Sequence, residues 1–335
     1  DRSAGATTEI FSLSSAFTKR FDRIDKMNLE LDFFGLRMKN PFFLASGVLG
    51  TSPSLLERVA RCGAGAVIAK SCGPEPRAGH ANPVSLPWKD GILNAIGLTN
   101  PGVKAEIPLL KAARERLNRH DCLLFASIFA PTAREFGEVA RQIAEAEPEL
   151  IEVNISCPNV GSEFGSPFST YPNSAAEVIR YVKQGISGTG IPISAKLSPN
   201  VAEIRSIARA VVSEGADAIS AVNTVPGMLI DAYAAKPVLK NRTGGFSGPP
   251  IKPIALRCVY EIAQTVRVPI LATGGIVSGL DAAEFILAGA SLVGVGAGIA
   301  LGGPEIFESL NQELSDYMAE MNFNSLGEFR GKALP

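Results

Sequence analysis

Histidine and cysteine are scarce in this chain, with two histidines and five cysteines among 335 residues. The cysteines, Cys62, Cys72, Cys122, Cys157 and Cys258, are odd in number and scattered, and no Cys-x-x-Cys pair occurs. This excludes a disulfide framework and argues against a zinc or iron–sulfur site within the chain, so no metal is expected. Reduced thiols fit a cytoplasmic protein. A strong charge is also missing. The net charge of −1 argues against nucleic acid as the main partner. No uninterrupted apolar run is long enough to span a bilayer. The first strand-to-helix turn has no Gly-x-Gly-x-x-Gly, which disfavours a dinucleotide-binding sheet.

Apolar residues, by contrast, make up 46% of the chain, enough for a large core. The length exceeds the usual single domain, although α/β barrels often run this long. From residue 28 a unit repeats: a short apolar strand ending in a polar residue, a loop, then an amphipathic helix. The expected strands cover 42–46, 66–70, 123–128, 150–154, 193–197, 218–223, 270–273 and 292–296. Helical patterns fill the links at 52–62, 104–119, 133–145, 175–184, 201–214, 252–266 and 280–288, and one follows at 304–321. Strands that are apolar throughout and alternate with helices predict a parallel sheet buried on both faces. Gly63-Ala64-Gly65-Ala66, Gly215-Ala216-Asp217-Ala218 and Gly289-Ala290-Ser291-Leu292 each join a helix to a strand. Gly ends the helix there, and small residues let it approach the sheet. Eight such units favour one domain, a (β/α)8 TIM barrel over residues 28–335. Two links, 71–103 and 224–248, are long and rich in Pro or Gly. At strand C-termini such loops form walls or lids of a site.

Residues 1–27 read as an extension. Ile10, Phe11, Leu13, Phe17, Phe21 and Ile24 fall near helical spacing among Lys19, Arg20, Arg23 and Lys26. This suits a short helix packed on the barrel, a partly disordered extension, or a membrane-surface or targeting helix.

The strand ends carry the chemistry. In order they present Ser46, Lys70, Ser127, Asn154, Lys196, Asn223-Thr224, Thr273 and Gly296. A lysine in an apolar strand needs an anion or an electron-rich partner to offset desolvation. Lys70 and Lys196 both sit so, and Glu152 is one candidate partner. Gly274-Gly275 and Gly296 follow the seventh and eighth strands, where such barrels bind phosphate through backbone N–H groups. Gly244-Gly245 offers a second close backbone approach. Past the fourth strand stands Asn154-Ile155-Ser156-Cys157-Pro158-Asn159, two carboxamides, a hydroxyl and a thiol at the mouth of a Pro/Gly loop. Cys62, Cys122, Cys258 and mostly Cys72 read as small buried hydrophobes. Cys157 reads as reactive, a base for a weakly acidic carbon proton. His80 and His120 read as surface residues.

The motifs Lys39-Asn40-Pro41, Ala45-Ser46-Gly47, Lys70-Ser71, Asn94-Ala95-Ile96-Gly97-Leu98-Thr99-Asn100-Pro101-Gly102, Asn154 to Asn159, Ala195-Lys196-Leu197-Ser198-Pro199-Asn200, Asn223-Thr224, Gly244-Gly245-Phe246-Ser247-Gly248 and Ile251 to Arg257 are specific as a set. On them, from about Met27 to the C-terminus, the chain resembles the class 1 dihydroorotate dehydrogenases, more closely the class 1B catalytic subunit. The resemblance implies oxidation of dihydroorotate to orotate in pyrimidine biosynthesis, with FMN as cofactor. It implies Ala45, Ser46, Gly47, Lys70, Ser71, Ser127 and Asn154 along the flavin and Lys196 at its pyrimidine edge. Gly248, Thr273, Gly274, Gly275, Gly296 and Ala297 would hold the ribityl phosphate. Asn94, Asn154, Asn159, Asn223 and Thr224 would hydrogen-bond the substrate ring. Lys70 and the backbone of Ile96-Gly97-Leu98 would receive its carboxylate. Cys157 would take a proton from the ring methylene while the neighbouring carbon passes hydride to the flavin. A homodimer is implied, and for class 1B a partner chain carrying FAD and a 2Fe–2S cluster. The chain departs from the pattern at Ala297, where the family often has Thr, in the loop 161–170, and in its extension.

Other readings stay open on the residues. A dihydropyrimidine dehydrogenase-type flavin module shares the Asn/Cys/Thr pattern, but uracil and thymine lack a carboxylate for 94–102 to bind. A flavin-free aldolase or synthase using Lys70 or Lys196 is another. A barrel that binds flavin without catalysis is a third.

Overall fold

The computed structural model describes residues 27–156 and 168–335. Eight parallel strands close into a barrel: β1 (Phe42–Leu44), β2 (Ala66–Ile68), β3 (Leu123–Ile128), β4 (Leu150–Asn154), β5 (Ile193–Leu197), β6 (Ala218–Ala221), β7 (Ile270–Thr273) and β8 (Leu292–Val295). Each pairs with its sequence neighbour, and β8 pairs back onto β1. Helices α1 (Pro53–Arg61), α2 (Val103–Leu117), α3 (Ala133–Ile143), α4 (Pro172–Gly185), α5 (Ile204–Ser213), α6 (Lys252–Thr265), α7 (Gly279–Leu287) and α8 (Ile306–Glu320) alternate with them. This is the expected (β/α)8 barrel.

Local signals set the helix limits. Ser52 accepts from the Leu55 N–H with proline at the start of α1, and Thr132 accepts from Glu135 N–H at α3. Ser278 and Asp281 form a reciprocal capping box on α7. Gly63, Gly215 and Gly289 close α1, α5 and α7 with φ of +100, +97 and +106°. Only glycine holds that conformation without strain, which explains the repeated junction.

Side chains alternate along each strand, so the barrel has two cores. Phe42, Leu44, Val67, Leu124, Ala126 and Ala272 pack outward among the helices. Phe43, Ala66, Ile68, Phe125, Leu150, Leu271 and Leu292 fill the interior. A hairpin of Leu31–Phe33 and Leu36–Met38 closes its lower end, adding Phe33 and Met38 to that inner core. Its turn residues Phe34 and Gly35 have φ of 55 and 78°, a geometry that matches strand twist. Burying one such Phe or Leu contributes about 1.5–3 kcal/mol. Toward the strand C-termini the inward positions turn polar: Ser127, Glu152, Ser194, Lys196 and Ser220, all buried. Ser127 stands opposite Glu152, and Asn154 opposite Lys196.

The two long links are not plain loops. In the first, Ser85–Trp88 pairs with Gly91–Asn94; in the second, Val225–Gly227 pairs with Gly244–Ser247; and Gly91–Asn94 pairs with Gly244–Ser247 to join the two. The resulting four-stranded antiparallel sheet lies over the strand C-termini.

Candidate active site

β1, β2, β6 and β8 end one or two residues earlier than the sequence predicts, yet their tails stay tied. Ala45 N–H donates to Val295 O, Ala69 N–H to Phe125 O, and Val222 N–H to Thr273 O. The tethered tails aim their side chains into one cavity of about 280 Å3. Ala45, Ser46, Gly47, Lys70 and Ser71 form one wall. Asn154, Lys196, Asn223 and Thr224 form the next. Gly248, Thr273, Gly274, Gly275, Gly296 and Ala297 close the far end, and Asn94, Ile96, Gly97 and Leu98 descend from the roof.

Ser127 does not line the cavity. It is buried beneath it, donating to Glu152 Oε1 at 3.0 Å and lying 2.8 Å from Ser71 Oγ. Cys157, Asn159 and positions 161–167 of the loop lie outside the described residues, as do residues 1–26 of the extension.

The amides are fixed by neighbours. Asn154 Nδ2 donates to Ser71 Oγ at 3.2 Å, and its Oδ1 accepts from Ser156 Oγ at 3.1 Å. Asn223 Nδ2 donates to the same Ser156 Oγ at 3.0 Å. Ser156, fully buried, therefore links the ends of β4 and β6. Asn200 Nδ2 donates to Thr224 O at 3.0 Å. Asn94 Nδ2 donates to Gly245 O at 3.2 Å, across the roof sheet. Gly244 and Gly245 are small for that sheet rather than for the cavity. A Cβ on them would sit 2.5 Å from Asn94 O and 2.0 Å from Thr224 Oγ1.

His80 differs from its surface reading. It is half-buried, its Nδ1 lies 3.1 Å from Ala95 O, and a Cβ on Gly97 would strike its ring at 2.8 Å. It braces the Asn94–Leu98 segment from behind. His120 is half-buried too, 3.7 Å from Glu57.

Lys196 combines the two readings open for it. Its Nζ contacts Glu152 Oε1 at 3.3 Å and Ser46 Oγ at 2.7 Å, and the side chain still reaches the cavity. Lys70 is half-buried and lines the same cavity. The glycine end offers backbone instead. Gly274 and Gly275 have φ of +134 and +84°. A Cβ on Gly47 or Gly296 would meet nothing nearer than 4.0 or 3.7 Å, so both open directly onto the cavity.

Such a site has two lysines, a fixed set of amides and a backbone cradle. The profile of the family described as Dihydroorotate dehydrogenase matches residues 28–318. The chain belongs to the dihydroorotate dehydrogenase family. A "Dihydroorotate dehydrogenase B (NAD(+)), catalytic subunit" of Methanocaldococcus jannaschii is 42% identical over 91% of this chain and 98% of its own length. Proteins of the same name from Pyrococcus abyssi and Methanosarcina mazei are 41% and 40% identical, covering 91% and 89% of this chain and 99% and 93% of their own. The class 1B resemblance is thereby shown, and a flavin-free aldolase is set aside.

Within this dihydroorotate dehydrogenase barrel several lining residues carried no sequence signal. Val48, Ser85, Ile92 and Val222 line the cavity in this way, and Ser247 and Ile251, noted only as members of longer motifs, line it too. Ser85, Ile92 and Ser247 do so only because distant strands pair in the roof. Glu152 and Ser156 organise the site from behind it. Glu152 was read as a candidate lysine partner, and it pairs with Lys196 at 3.3 Å; its inward position in the period-2 pattern of β4 puts it there. Cys72, Cys122 and Cys258 are buried as expected, whereas Cys62, at the C-terminal end of α1, is only half-buried. Burial, with Glu106 nearby, pushes the Cys72 thiol up. Burial pushes Cys122 up to about 12, leaving both as inert thiols. Burial also pushes the carboxyl of Glu106, in the first turn of α2, up to about 7.

Proposed function

We propose that the chain oxidises dihydroorotate to orotate in pyrimidine biosynthesis, with FMN as its cofactor and Cys157 as the base. The observation that carries this is the single cavity into which both lysines, the fixed amides and the glycine cradle converge. The residues fit a flavin mononucleotide. Gly47 and Gly296 leave open the space that a flat ring and its side chain need. The far end offers backbone N–H groups suited to a phosphate. FMN, when bound, supplies a ring that accepts two electrons as hydride.

The protein residues then have separate tasks. Lys196 presents positive charge where negative charge develops, already positioned by Ser46 and Glu152. Asn154, Asn223 and Thr224 orient the substrate ring, and Asn159 joins them. Lys70 and the backbone of Ile96-Gly97-Leu98 hold its carboxylate, with Asn94 alongside. Cys157 follows Ser156 directly and removes the proton from the ring methylene. Ser127 serves the flavin from beneath, through Ser71 and Glu152.

Electrons leave through a partner subunit carrying FAD and a 2Fe–2S cluster. The relatives' naming as NAD(+) catalytic subunits supports this. We also propose a homodimer and a cytoplasmic location. Among the described residues no helix is long and apolar enough to cross a membrane.

The test is optical. Purified protein should show flavin absorption bands, and anaerobic dihydroorotate should bleach them. A colourless protein that takes up no FMN would contradict the cofactor. A coloured protein that dihydroorotate leaves oxidised would contradict the substrate.

A further inference from the structure

Glu152 lies behind the cavity wall rather than in it. Its side chain is 2% exposed and that of its partner Lys196 is 8% exposed. Three donors converge on one of its oxygens. Ser46 Oγ donates to Oε1 at 2.7 Å, Ser127 Oγ at 3.0 Å and Lys196 Nζ at 3.3 Å.

The directions of these bonds are determined. A hydroxyl has one hydrogen. Ser46 spends its hydrogen on Glu152, so it accepts from Lys196 Nζ, 2.7 Å away. Ser127 also spends its hydrogen on Glu152, so Ser71 must donate across the 2.8 Å Oγ–Oγ contact. Ser71 in turn accepts from Asn154 Nδ2. Two chains of donors therefore end on one carboxylate oxygen. One starts at Lys196, on the flavin side of the proposed site. The other starts at Asn154, on its substrate side. An ionised carboxylate, which only accepts, satisfies both at once.

We propose that Glu152 is a positioning residue that anchors Lys196 and Asn154 on one buried anion and holds down the reduction potential of the bound flavin. This rests on the FMN reading above. The lysine ammonium faces the cavity with the carboxylate behind it, so the carboxylate offsets part of the field that would favour electron gain. Glu152→Gln keeps one acceptor oxygen for the three donors, removes the charge and replaces Oε2, which takes none of the three, with an NH2 group. Glu152→Asp keeps the charge on a shorter arm.

The experiment is a spectroelectrochemical titration of the flavin-loaded wild-type, Gln and Asp proteins. Glu152→Gln should raise the potential so that the reduced-to-oxidised ratio at a fixed potential grows about tenfold, about 30 mV for a two-electron couple. Glu152→Asp should stay nearer to wild type than the Gln variant does. A Gln variant with a potential equal to or below wild type overturns the proposal. A wild-type protein with no flavin couple contradicts the FMN reading instead. If the Gln variant loads no flavin, Ser127→Ala decides. It removes the hydroxyl that joins Ser71 to Glu152, leaves the Lys196 and Ser46 bonds to Glu152 in place, and should weaken orotate several-fold in an absorbance titration of the flavin-loaded protein. Unchanged orotate affinity in that variant overturns the proposal.

Discussion

At the β2–β5 end of the cavity the lining is made of side chains, with Lys70, Asn154 and Lys196 as its polar groups. At the β7–β8 end it is mostly glycine backbone, from Gly274, Gly275 and Gly296, with Ala297 and with Thr273, whose hydroxyl is spent on Val222 O at 2.8 Å. Lys252 shows the contrast best. Its backbone lies against Gly275, yet its ammonium is turned to Asp281 at 2.6 Å and Glu284 at 2.9 Å. The side-chain end presents charge and amide groups to a reacting ring, while the backbone end can only hold. This division fits a substrate that reacts at one end and a phosphate that anchors at the other. It also means that each end fails in its own way, by loss of a functional group or by gain of a methyl.

The largest effect expected is at the reactive end. Cys157→Ser should slow dihydroorotate-driven bleaching by about 10²–10⁴-fold at neutral pH, since a serine hydroxyl ionises far less readily than a thiol and supplies almost no anionic base there. Stopped-flow absorbance with FMN still bound is the check, and an unchanged rate removes Cys157 as base.

Next comes the backbone end. Gly274→Ala would set a methyl 2.5 Å from Ala255 Cβ, at a φ of +134°. Strain and overpacking of this kind cost about 2–4 kcal/mol. The variant should therefore purify with little flavin, read from the flavin-to-protein absorbance ratio. Full flavin content would break the comparison.

A third effect tests the support behind the reactive end. Glu106 sits in α2 near Cys72, with its carboxyl pushed up from 4.5 to about 7 by burial. The folded state then holds a proton that the unfolded state has released. Stability is therefore highest below about pH 4.5 for this group and falls as pH rises through 7. The total loss is on the order of 3 kcal/mol. Glu106→Gln should flatten that slope in thermal unfolding between about pH 5 and pH 8. An equal slope in both proteins would exclude Glu106 as its source.

The smallest effect sharpens the division within the reactive end. Asn94→Ala should weaken orotate by about tenfold and uracil by less, from loss of one buried hydrogen bond of about 1.5 kcal/mol. Equal losses in a binding titration would place Asn94 away from the carboxylate.

How much of this was legible follows from where each residue sits. Lys70, Asn154, Lys196 and Thr273 stood out because each ends an apolar run, and a polar group there has few reasons other than a site. The helix-to-strand glycines were legible because φ near +100° admits little else. The roof sheet was not. Its strands are three or four residues long, contain Pro87, Pro226 and several glycines, and pair Asn94 with Gly245 across the chain. Periodicity has no grip on strands that short. Glu152 was legible only as a partner for a lysine. Its convergence with Ser46 and Ser127 depends on three strands meeting, which no local pattern records. His80, read as a surface residue rather than a catalyst, is half-buried and does not line the cavity; its contact with Gly97 was not legible because it lies within a link that has no periodicity of its own.

The central claim is that the β2–β5 end takes electrons from a carboxylated dihydropyrimidine. It is tested most directly by anaerobic reduction of the bound flavin with dihydroorotate, dihydrouracil and NADH in parallel, with no partner chain added. Rapid bleaching by dihydroorotate alone is the predicted result. Bleaching by dihydrouracil at an equal rate, or by NADH in place of dihydroorotate, would contradict it.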